Sequence, residues 1–357
     1  MAPCQLLLLS LLIALSICST SSSTCNPSDR DALLRIPSSI KDSLWNVSED
    51  CCSWSNIQCD ESGNVISLNL DGFTADNTLL PNSPIFELRF LRSLTLGNYD
   101  GPRVINSSIP NEISKLAELR ELVMLGYGGA IRSSVGSLAK LKVLRLVAGR
   151  LTGNIPSSIG NLSQLTTLSL VGNKLSGTIP QSFGNLRNLV SIGLGTNQLT
   201  GKLPSFVFSF PNLEVLSVDN NRFEGSIPRA VANSKLQDLA LENNKFSGIV
   251  PAWLFTGSLR RIWLQNNNFN AVEPYRVPRV SFLTVVNLSN NSIRGLLIPA
   301  TPVMQTLDLS RNQFTGKIPM NYCAIEVLFL SFNKISVDSC QQFKKMCKTD
   351  RDLSLVC

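Results

Sequence analysis

Histidine is missing from this chain of 357 residues. Its absence excludes Ser-His-Asp and Cys-His catalytic sites and every metal site that needs an imidazole ligand. No CxxC pair is present either, so a cysteine zinc site is not favoured. We therefore expect no metal and no cofactor. An enzyme built from this sequence would have to work with carboxylates, lysine or tyrosine.

Runs of like charge are also missing. The chain has 32 Lys and Arg against 25 Asp and Glu, a net charge of +7, but the cations form neither a cluster nor a stripe interleaved with aromatic residues. A nucleic-acid partner would favour such a stripe, so we predict none. A mildly basic surface could still bind an acidic cell-wall polysaccharide.

Long apolar runs are absent beyond the N-terminus. The run from Leu6 to Ile17 is followed by Ser and Thr up to Thr24, which is typical of a secretory signal peptide over residues 1–24. An uncleaved anchor is the alternative, but about 12 residues fall short of the roughly 20 that a membrane span needs. We predict no membrane span and a protein secreted to the extracellular space or the cell wall.

Cysteine is absent from the middle of the chain and clustered at its two ends. Cys4 and Cys18 leave with the signal peptide, and the other eight fall into two groups of four: Cys25, Cys51, Cys52, Cys59, then Cys323, Cys340, Cys347, Cys357. In a secreted chain this predicts two disulfides in each of two terminal caps. Five Asn-x-Ser sequons are candidate glycosylation sites: Asn46, Asn106, Asn161, Asn287 and Asn290.

A leucine pattern repeats between these caps. Leu-x-Leu or a close variant recurs twelve times: Leu68/Leu70, Leu94/Leu96, Leu122/Met124, Leu144/Leu146, Leu168/Leu170, Ile192/Leu194, Leu216/Val218, Leu239/Leu241, Ile262/Leu264, Val286/Leu288, Leu307/Leu309 and Leu328/Leu330. A period near 24 residues with this pattern predicts a leucine-rich repeat solenoid. We expect an N-terminal cap over residues 25–64, about twelve repeats over 65–336 and a C-terminal cap over 337–357.

An asparagine stands three residues after the second leucine in most repeats: Asn173, Asn197, Asn221, Asn244, Asn267, Asn291, Asn312 and Asn333. An amide at this position can donate to and accept from buried backbone groups of neighbouring turns. Phe73, Tyr99, Tyr127 and Gly149 occupy the same position in the first four repeats, so we expect the N-terminal third to be less regular.

A second motif, Gly-x-Ile-Pro, follows the asparagine, as in Gly153-N-Ile155-Pro156 and Gly177-T-Ile179-Pro180. We expect the Ile to pack inward, the Pro to lie at a turn or sheet edge, and a short helix such as 157–162 to follow. In the N-terminal cap, Ser28 before two acidic residues predicts the N-cap of a first helix.

These motifs resemble one family. The [LI]-[ST]-G-x-[ILV]-P signature resembles the plant-specific class of extracellular leucine-rich repeats. The run from Cys25 to Cys59, with Trp45 and Trp54, resembles the plant N-terminal repeat cap. Together they are similar to the polygalacturonase-inhibiting proteins and their relatives, which include an antifreeze leucine-rich repeat protein. The resemblance implies an α/β solenoid, a right-handed superhelix with a parallel concave sheet, and the pairs Cys25–Cys51 and Cys52–Cys59.

Outward residues of the strands should form a continuous concave face. Its middle repeats read Val123, Leu125, Val143, Arg145, Val147, Val171, Gly193 and Gly195, an aliphatic patch that is either exposed or covered by irregular packing. Its later repeats are polar with one tryptophan. We predict the partner-binding residues to be Arg145, Asp219, Glu242, Arg261, Trp263, Gln265 and Asp308, since exposed Trp and Arg are enriched in binding hot spots.

Two carboxylates of this face raise a catalytic alternative. Asp219 and Glu242 hold the same position on adjacent strands, about 5 Å apart, the spacing of a retaining glycosidase. An open, wet face should neither raise the pKa of an acid nor enclose a sugar, so we predict that the protein is not an enzyme.

The sequence therefore predicts a secreted recognition protein whose concave face binds a protein or peptide. Candidate partners are a microbial wall-degrading enzyme, which an inhibitor-like defence protein would bind, and a receptor ectodomain. The alternative is a structural, wall-binding or ice-binding surface. That alternative needs a regular column of Thr or Asn, and the column through Ser169 is not regular.

Overall fold

The computed structural model describes residues 24–36, 45–71, 81–97, 105–229 and 235–347. The predicted signal peptide, except Thr24, lies outside these residues, as do Phe73, Tyr99 and Cys357. Among the described residues, no helix has the length and apolar character needed to cross a membrane.

A parallel sheet runs through the whole repeat region and confirms the predicted solenoid. It consists of twelve parallel strands, one for each Leu-x-Leu pair, plus β1, which pairs antiparallel with β2 at the N-terminal edge. Its strands are β1 (Ile57–Cys59), β2 (Val65–Asp71), β3 (Ser93–Gly97), β5 (Glu121–Leu125), β7 (Val143–Val147), β9 (Thr167–Ser169), β11 (Ser191–Gly193), β13 (Val215–Ser217), β15 (Asp238–Ala240), β17 (Arg261–Trp263), β19 (Val285–Asn287), β21 (Thr306–Asp308) and β23 (Val327–Phe329).

A second sheet, which the sequence did not lead us to predict, lies after the asparagine of each repeat. Eight parallel strands form it: β4 (Ile105–Ser108), β6 (Tyr127–Ala130), β8 (Arg150–Asn154), β10 (Lys174–Gly177), β12 (Gln198–Lys202), β14 (Arg222–Gly225), β16 (Lys245–Val250) and β18 (Asn268–Val272). A separate pair, β20 (Arg294–Leu296) and β22 (Gln313–Thr315), continues it towards the C-terminus. The strand β4 is irregular, with a register shift between Ile105 and Ser108.

Short 3-10 helices complete most repeats. They cover Pro84–Glu87, Asn111–Lys115, Ser133–Ser137, Ser157–Asn161, Gln181–Asn185, Ser205–Ser209 and Met320–Ala324, with one more in the cap at Cys51–Ser53. In five of them the residue directly before the helix is a proline that follows Ile or Leu, for instance Pro156 before Ser157–Asn161. Among the described residues the α-helices are α1 (Pro27–Arg35), α2 (Trp253–Thr256) and α3 (Val337–Met346).

The core is a stack of equivalent side chains between the two sheets and the 3-10 helices. Both leucines of each strand pair are buried, as Leu168 and Leu170 illustrate. Phe223, Phe246 and Phe269 occupy one position in three consecutive repeats, and their rings stack with centroids 6.1 and 6.4 Å apart. Each repeat therefore buries its apolar face only against its neighbours, as a solenoid requires.

The asparagine ladder joins each repeat to the one before it. Asn197 donates from Nδ2 to the carbonyl oxygens of Leu170 and Leu194 at 2.9 and 3.1 Å, and its Oδ1 accepts from the Leu175 N–H at 3.0 Å. The other seven ladder asparagines make the same bonds. Tyr127, in the corresponding position of an earlier repeat, is a buried aromatic side chain that cannot reproduce the amide pattern of the ladder.

The residue before each ladder position adopts a left-handed backbone conformation. Its φ is 52° at Ala148, 55° at Thr196 and between 50° and 58° in the six later repeats. Four of these six residues are asparagines: Asn220, Asn243, Asn266 and Asn290. Asparagine and glycine tolerate this conformation best. From β7 to β23, the turn that ends each concave strand therefore has one geometry.

The two caps close the array with disulfides. Cys25 is bonded to Cys51 and Cys52 to Cys59, the pairs that the family resemblance implies. The helix α1 begins at Pro27 and its N-cap is Asn26, not Ser28 as predicted, because the Asn26 Oδ1 accepts from the Ser28 N–H at 3.0 Å.

At the other end, Cys323 is bonded to Cys347, and Cys340 is also disulfide-bonded. Ser336 caps α3 through the Ser339 N–H.

The predicted aliphatic patch on the concave face is only partly exposed. Val123 and Leu125 retain only 4% and 3% exposure, and Val143, Val147 and Val171 are half-buried. The Leu125 side chain lies over Gly97 of the neighbouring strand, since a Cβ built on that glycine would be 2.6 Å from the Leu125 Cβ. An absent side chain on one strand thus accommodates an aliphatic one on the next.

Candidate functional site

The polar half of the concave face centres on β15 and β17. Arg261 at the start of β17 donates from Nε and Nη2 to the two carboxylate oxygens of Asp238 at 2.6 and 2.5 Å. The same guanidinium lies 5.6 Å from the centre of the Trp263 ring. Asp238 also raises the pKa of Arg261 through the hydrogen bond. These three side chains form one connected unit, which we call the Trp263 cluster.

Trp263 is half-buried on the face between Ala240 and Asn287, its register partners on the two adjacent strands. An accessible ring requires that the aromatic side chain of Tyr275, twelve residues further along the chain, does not cover it. Tyr275 instead stacks on Phe255 with centroids 4.6 Å apart, and its hydroxyl donates to the Pro299 carbonyl at 2.9 Å. It therefore packs elsewhere and does not cover the Trp263 ring, which stays half-buried.

Asp219 follows β13 and is held in place by its neighbours. Its Oδ1 accepts from the Ser217 hydroxyl, and its Oδ2 accepts from the Asn220 amide at 2.7 Å. The carboxylate also leans over Gly195 of the preceding repeat, where a Cβ would meet Oδ1 at 2.5 Å. Because Gly195 has no side chain, it leaves room for the carboxylate of Asp219 on the concave face.

Glu242 occupies the equivalent position on the next repeat, and its pKa is not the ordinary value that we expected for an acid on an open face. Burial, reinforced by the charge of Asp219, raises the pKa of Glu242 to about 7. The expectation that an open face leaves its acids with ordinary pKa values is therefore wrong for this residue. Desolvation is the larger cause because the side chain lies low between neighbouring strands.

The other predicted site residues lie at increasing distances from this centre. Gln265 follows Trp263 on the same repeat, beside Glu242. Asp308 lies two strands further on, where its Oδ1 accepts from the Ser310 N–H and hydroxyl at 2.9 and 2.6 Å. Arg145 is exposed on β7, five strands from β17, which at 4.7–4.9 Å per strand is about 24 Å away. The structure does not bring Arg145 to the cluster.

Two contributors to this face were not among the predicted binding residues. Asp238 orients Arg261, and Ser217 holds Asp219. The signal for Asp238 was available, because it stands at the same register position as Arg261, one repeat earlier, with the opposite charge. Such cross-strand pairs are the unit of stabilisation in a sheet.

The five sequons fall in different surroundings. Asn46 and Asn161 are exposed away from the concave sheet, and Asn106 lies on β4. Asn287 is half-buried on β19 beside Trp263, and its Oδ1 accepts from Ser289. Asn290 is exposed and donates to the Asn266 Oδ1 at 2.7 Å. A glycan on Asn287 would occupy the face next to the Trp263 cluster.

Family comparisons agree with this architecture. The leucine rich repeat model matches residues 139–199, a second leucine rich repeat model matches 212–234 and 303–325, and the leucine rich repeat N-terminal domain matches 26–60. Among curated proteins, receptor-like protein 31 of Arabidopsis thaliana is 42% identical over 86 residues. That match covers 24% of this chain and spans 10% of the relative's length.

Solved structures match over more of the chain. A plant ice-binding protein has a TM-score of 0.67 at 27% identity, covering 88% of this chain and 96% of that one. The Arabidopsis receptor kinase HAESA, in complex with the peptide hormone IDA and the co-receptor SERK1, has a TM-score of 0.61 at 26% identity. That match covers 87% of this chain and 62% of the HAESA chain.

The repeat architecture and these matches define a leucine-rich repeat protein. More narrowly, the matched N-terminal domain and the receptor-like relatives support a plant extracellular leucine-rich repeat protein.

Proposed function

We propose that the concave face from β13 to β21 binds an extracellular protein or peptide. The observation that carries the proposal is the Trp263 cluster. In it a half-buried tryptophan lies beside Arg261, and the largely buried carboxylate of Asp238 sets the orientation of that arginine. Tryptophan and arginine are enriched among the few residues that dominate the binding energy of protein interfaces. The HAESA structure, a neighbour that holds a peptide hormone and a co-receptor, supports the same role for this fold.

Two kinds of partner suit this face. One is a microbial wall-degrading enzyme, which would make the protein an inhibitor-like defence protein, as the resemblance to polygalacturonase-inhibiting proteins implies. The other is the ectodomain of a receptor, as the receptor-like relative and the HAESA complex favour. Weaker attachment to cell-wall polysaccharide through the basic surface is compatible with either partner.

Binding fits the carboxylates of this face better than catalysis. Asp219 lies on an open face, which does not enclose a sugar, and its two oxygens accept hydrogen bonds from Ser217 and Asn220 of the same chain. The Glu242 Oε2 is fully buried, so this oxygen does not face a ligand on the concave side. We therefore propose that the protein is not a glycosidase, although one of its acids has a raised pKa.

Capture of partners from two sources tests the proposal. The secreted protein would be immobilised and exposed to microbial culture filtrate and to plant apoplastic fluid, alongside Trp263→Ala and the control Phe90→Ala, which truncates an exposed aromatic elsewhere. We expect the first variant to lose its partner about tenfold or more, and the control to retain it. Equal capture by all three proteins would show that the concave face is not the site.

The inhibitor hypothesis has a direct assay. Release of reducing sugar from polygalacturonic acid by a purified fungal polygalacturonase should fall when the protein is added, and less so with Trp263→Ala. Peptide mass mapping should find Asn287 without a glycan, because a glycan there would block the face. An unaffected polygalacturonase, together with capture of a plant receptor ectodomain, would favour the second partner.

Ice binding is the second candidate, and the ice-binding structural neighbour is what favours it. The register of the second sheet weakens this candidate, because ice binding needs a regular column of Thr or Asn. Thr152 pairs with Lys174 and Thr200 pairs with Arg222, so a cation stands beside each of these hydroxyls. Inhibition of ice recrystallisation by the purified protein, abolished by Thr200→Leu and retained by Trp263→Ala, would support this candidate over protein binding.

A further inference from the structure

Two buried oxygens on neighbouring repeats lack a hydrogen-bond partner. They are the Glu242 Oε2 and the Gln265 Oε1, each fully buried. Their backbones are adjacent, because the Asn243 N–H donates to the Gln265 carbonyl at 3.0 Å just as the Asn220 N–H donates to the Glu242 carbonyl at 2.9 Å. The two side chains therefore hold equivalent positions on consecutive repeats, two residues after β15 and β17 end, in the same column of the concave face.

Two acceptors cannot satisfy each other. Buried polar atoms without a partner cost folding free energy, and native structures contain few of them. A side chain of a binding partner cannot reach an atom that is fully buried, but a proton can. A proton on Glu242 would convert its carboxylate into a donor, and one O–H would then serve both oxygens.

We propose that Glu242 is a proton switch in the concave face. As the neutral acid it donates a hydrogen bond to the Gln265 Oε1. This bond keeps both side chains packed against the concave face beside Trp263. When the proton is lost, the charged group leaves its buried place and disturbs the face. This regulation rests on the proposed function, because it governs binding at that face, whereas the protonation itself does not depend on any partner.

The charges around Glu242 agree with a neutral acid. Asp219 on the preceding repeat is the charged group that shifts its pKa, and it raises it. On the following repeat, Arg261 is engaged by Asp238 at the far end of the strands, and Gln265 is uncharged. Burial is the largest cause; the hydrogen bond from the Glu242 N–H comes second and lowers the pKa, the charge of Asp219 comes third and raises it, and the resulting pKa is about 7.

The sign of the effect on stability follows from linkage. The folded protein holds this proton more tightly than the unfolded chain, whose glutamate has a pKa of 4.5. Stability from this residue is therefore full below about pH 4.5, falls as the pH rises towards about 7, and is lost above it. Partner binding should fall over the upper part of the same range.

Titration and unfolding test the switch on the intact secreted protein. The carboxyl carbon of Glu242, observed by NMR in 13C-glutamate-labelled protein and assigned with Glu242→Gln, should titrate near pH 7. Between pH 5 and pH 8 the unfolding temperature of wild type should fall by a few degrees more than that of Glu242→Gln. The control Glu224→Gln, which changes an exposed glutamate of β14, should behave as wild type.

Three results would overturn the switch. A Glu242 carboxyl that titrates near its ordinary pKa would mean that the Gln265 amide is turned, with its NH2 group donating to a permanent carboxylate. Parallel pH profiles for wild type and Glu242→Gln would lead to the same conclusion without NMR. Capture that depends on Trp263 but is equal at pH 5.5 and pH 8 would remove the regulatory role. By contrast, a titration near pH 7 with no Trp263-dependent capture would refute the proposed function and leave the protonation standing.

Discussion

Arg261 and Asp238 form a two-bond ion pair across neighbouring strands of the concave sheet, with distances of 2.6 and 2.5 Å. The carboxylate is the less exposed partner, with 16% side-chain exposure against 50% for the arginine. A fork-to-fork pair of this kind fixes direction as well as distance. Its effect here is to hold the guanidinium against the Trp263 ring.

Asp238→Asn should therefore change binding more than stability. An exposed ion pair contributes at most about 1 kcal/mol to folding, so the free energy of unfolding in urea should drop by no more than that. Partner binding should weaken about tenfold, because the asparagine side chain offers only one acceptor and Arg261 loses its fixed orientation. Surface plasmon resonance with the captured partner measures the effect.

The control for this change is Glu118→Gln, which breaks another ion pair between repeats, with Lys140 Nζ 2.6 Å from the Glu118 carboxylate. It removes the same charge outside the proposed site. If both variants weaken binding equally, net charge rather than the orientation of Arg261 is the cause.

Asn267→Ala should destabilise the array. Asn267 is buried, donates to the Leu241 and Leu264 carbonyls at 3.0 and 3.2 Å, and accepts from the Phe246 N–H at 2.9 Å. The substitution leaves these groups without a partner, which costs about 1–3 kcal/mol. Chemical denaturation followed by circular dichroism gives the value. Asn268→Ala, one residue further on but exposed, should cost less than about 0.5 kcal/mol, and a similar loss in both would contradict the role of the ladder.

Gly160→Ala and Gly184→Ala should differ although both glycines hold the same place in consecutive 3-10 helices. A Cβ at Gly160 would lie 2.4 Å from the Ser182 carbonyl oxygen, whereas at Gly184 the nearest atom belongs to the Phe206 ring at 3.7 Å. The first change forces two helices apart and should cost about 1–3 kcal/mol. The second should be nearly neutral. Thermal unfolding of both variants checks the difference, and an equal shift would mean that neighbouring repeats are not packed this closely.

The repeat could be predicted because its signals are local and periodic. Leu168 and Leu170 recur as Ile192 and Leu194, and the ladder asparagine follows at a fixed distance. Alternation in a strand then tells which residues face the solvent side. For the same reason the residues of the Trp263 cluster could be placed on the concave face before the structure was known.

What could not be predicted depends on contacts between repeats. Leu125 is buried because Gly97, on the neighbouring strand, has no side chain. Glu242 has a raised pKa because its side chain lies low between strands, which position in the repeat does not reveal. The second sheet was missed for a different reason, since its strands are short and follow directly after the asparagine turn, where the sequence reads as a loop.

The distribution of cysteine has a consequence for how this surface can diversify. Every described disulfide joins residues of the caps or the last 3-10 helix, and no cysteine lies between Cys59 and Cys323. Asn173, Asn197 and Asn221 make identical bonds at intervals of 24 residues. A recombination event that gains or loses one such unit would leave no unpaired thiol and no unpaired amide. Genetic exchange could thus move the Trp263 cluster along the face, or duplicate it, while both covalently closed ends stay as they are.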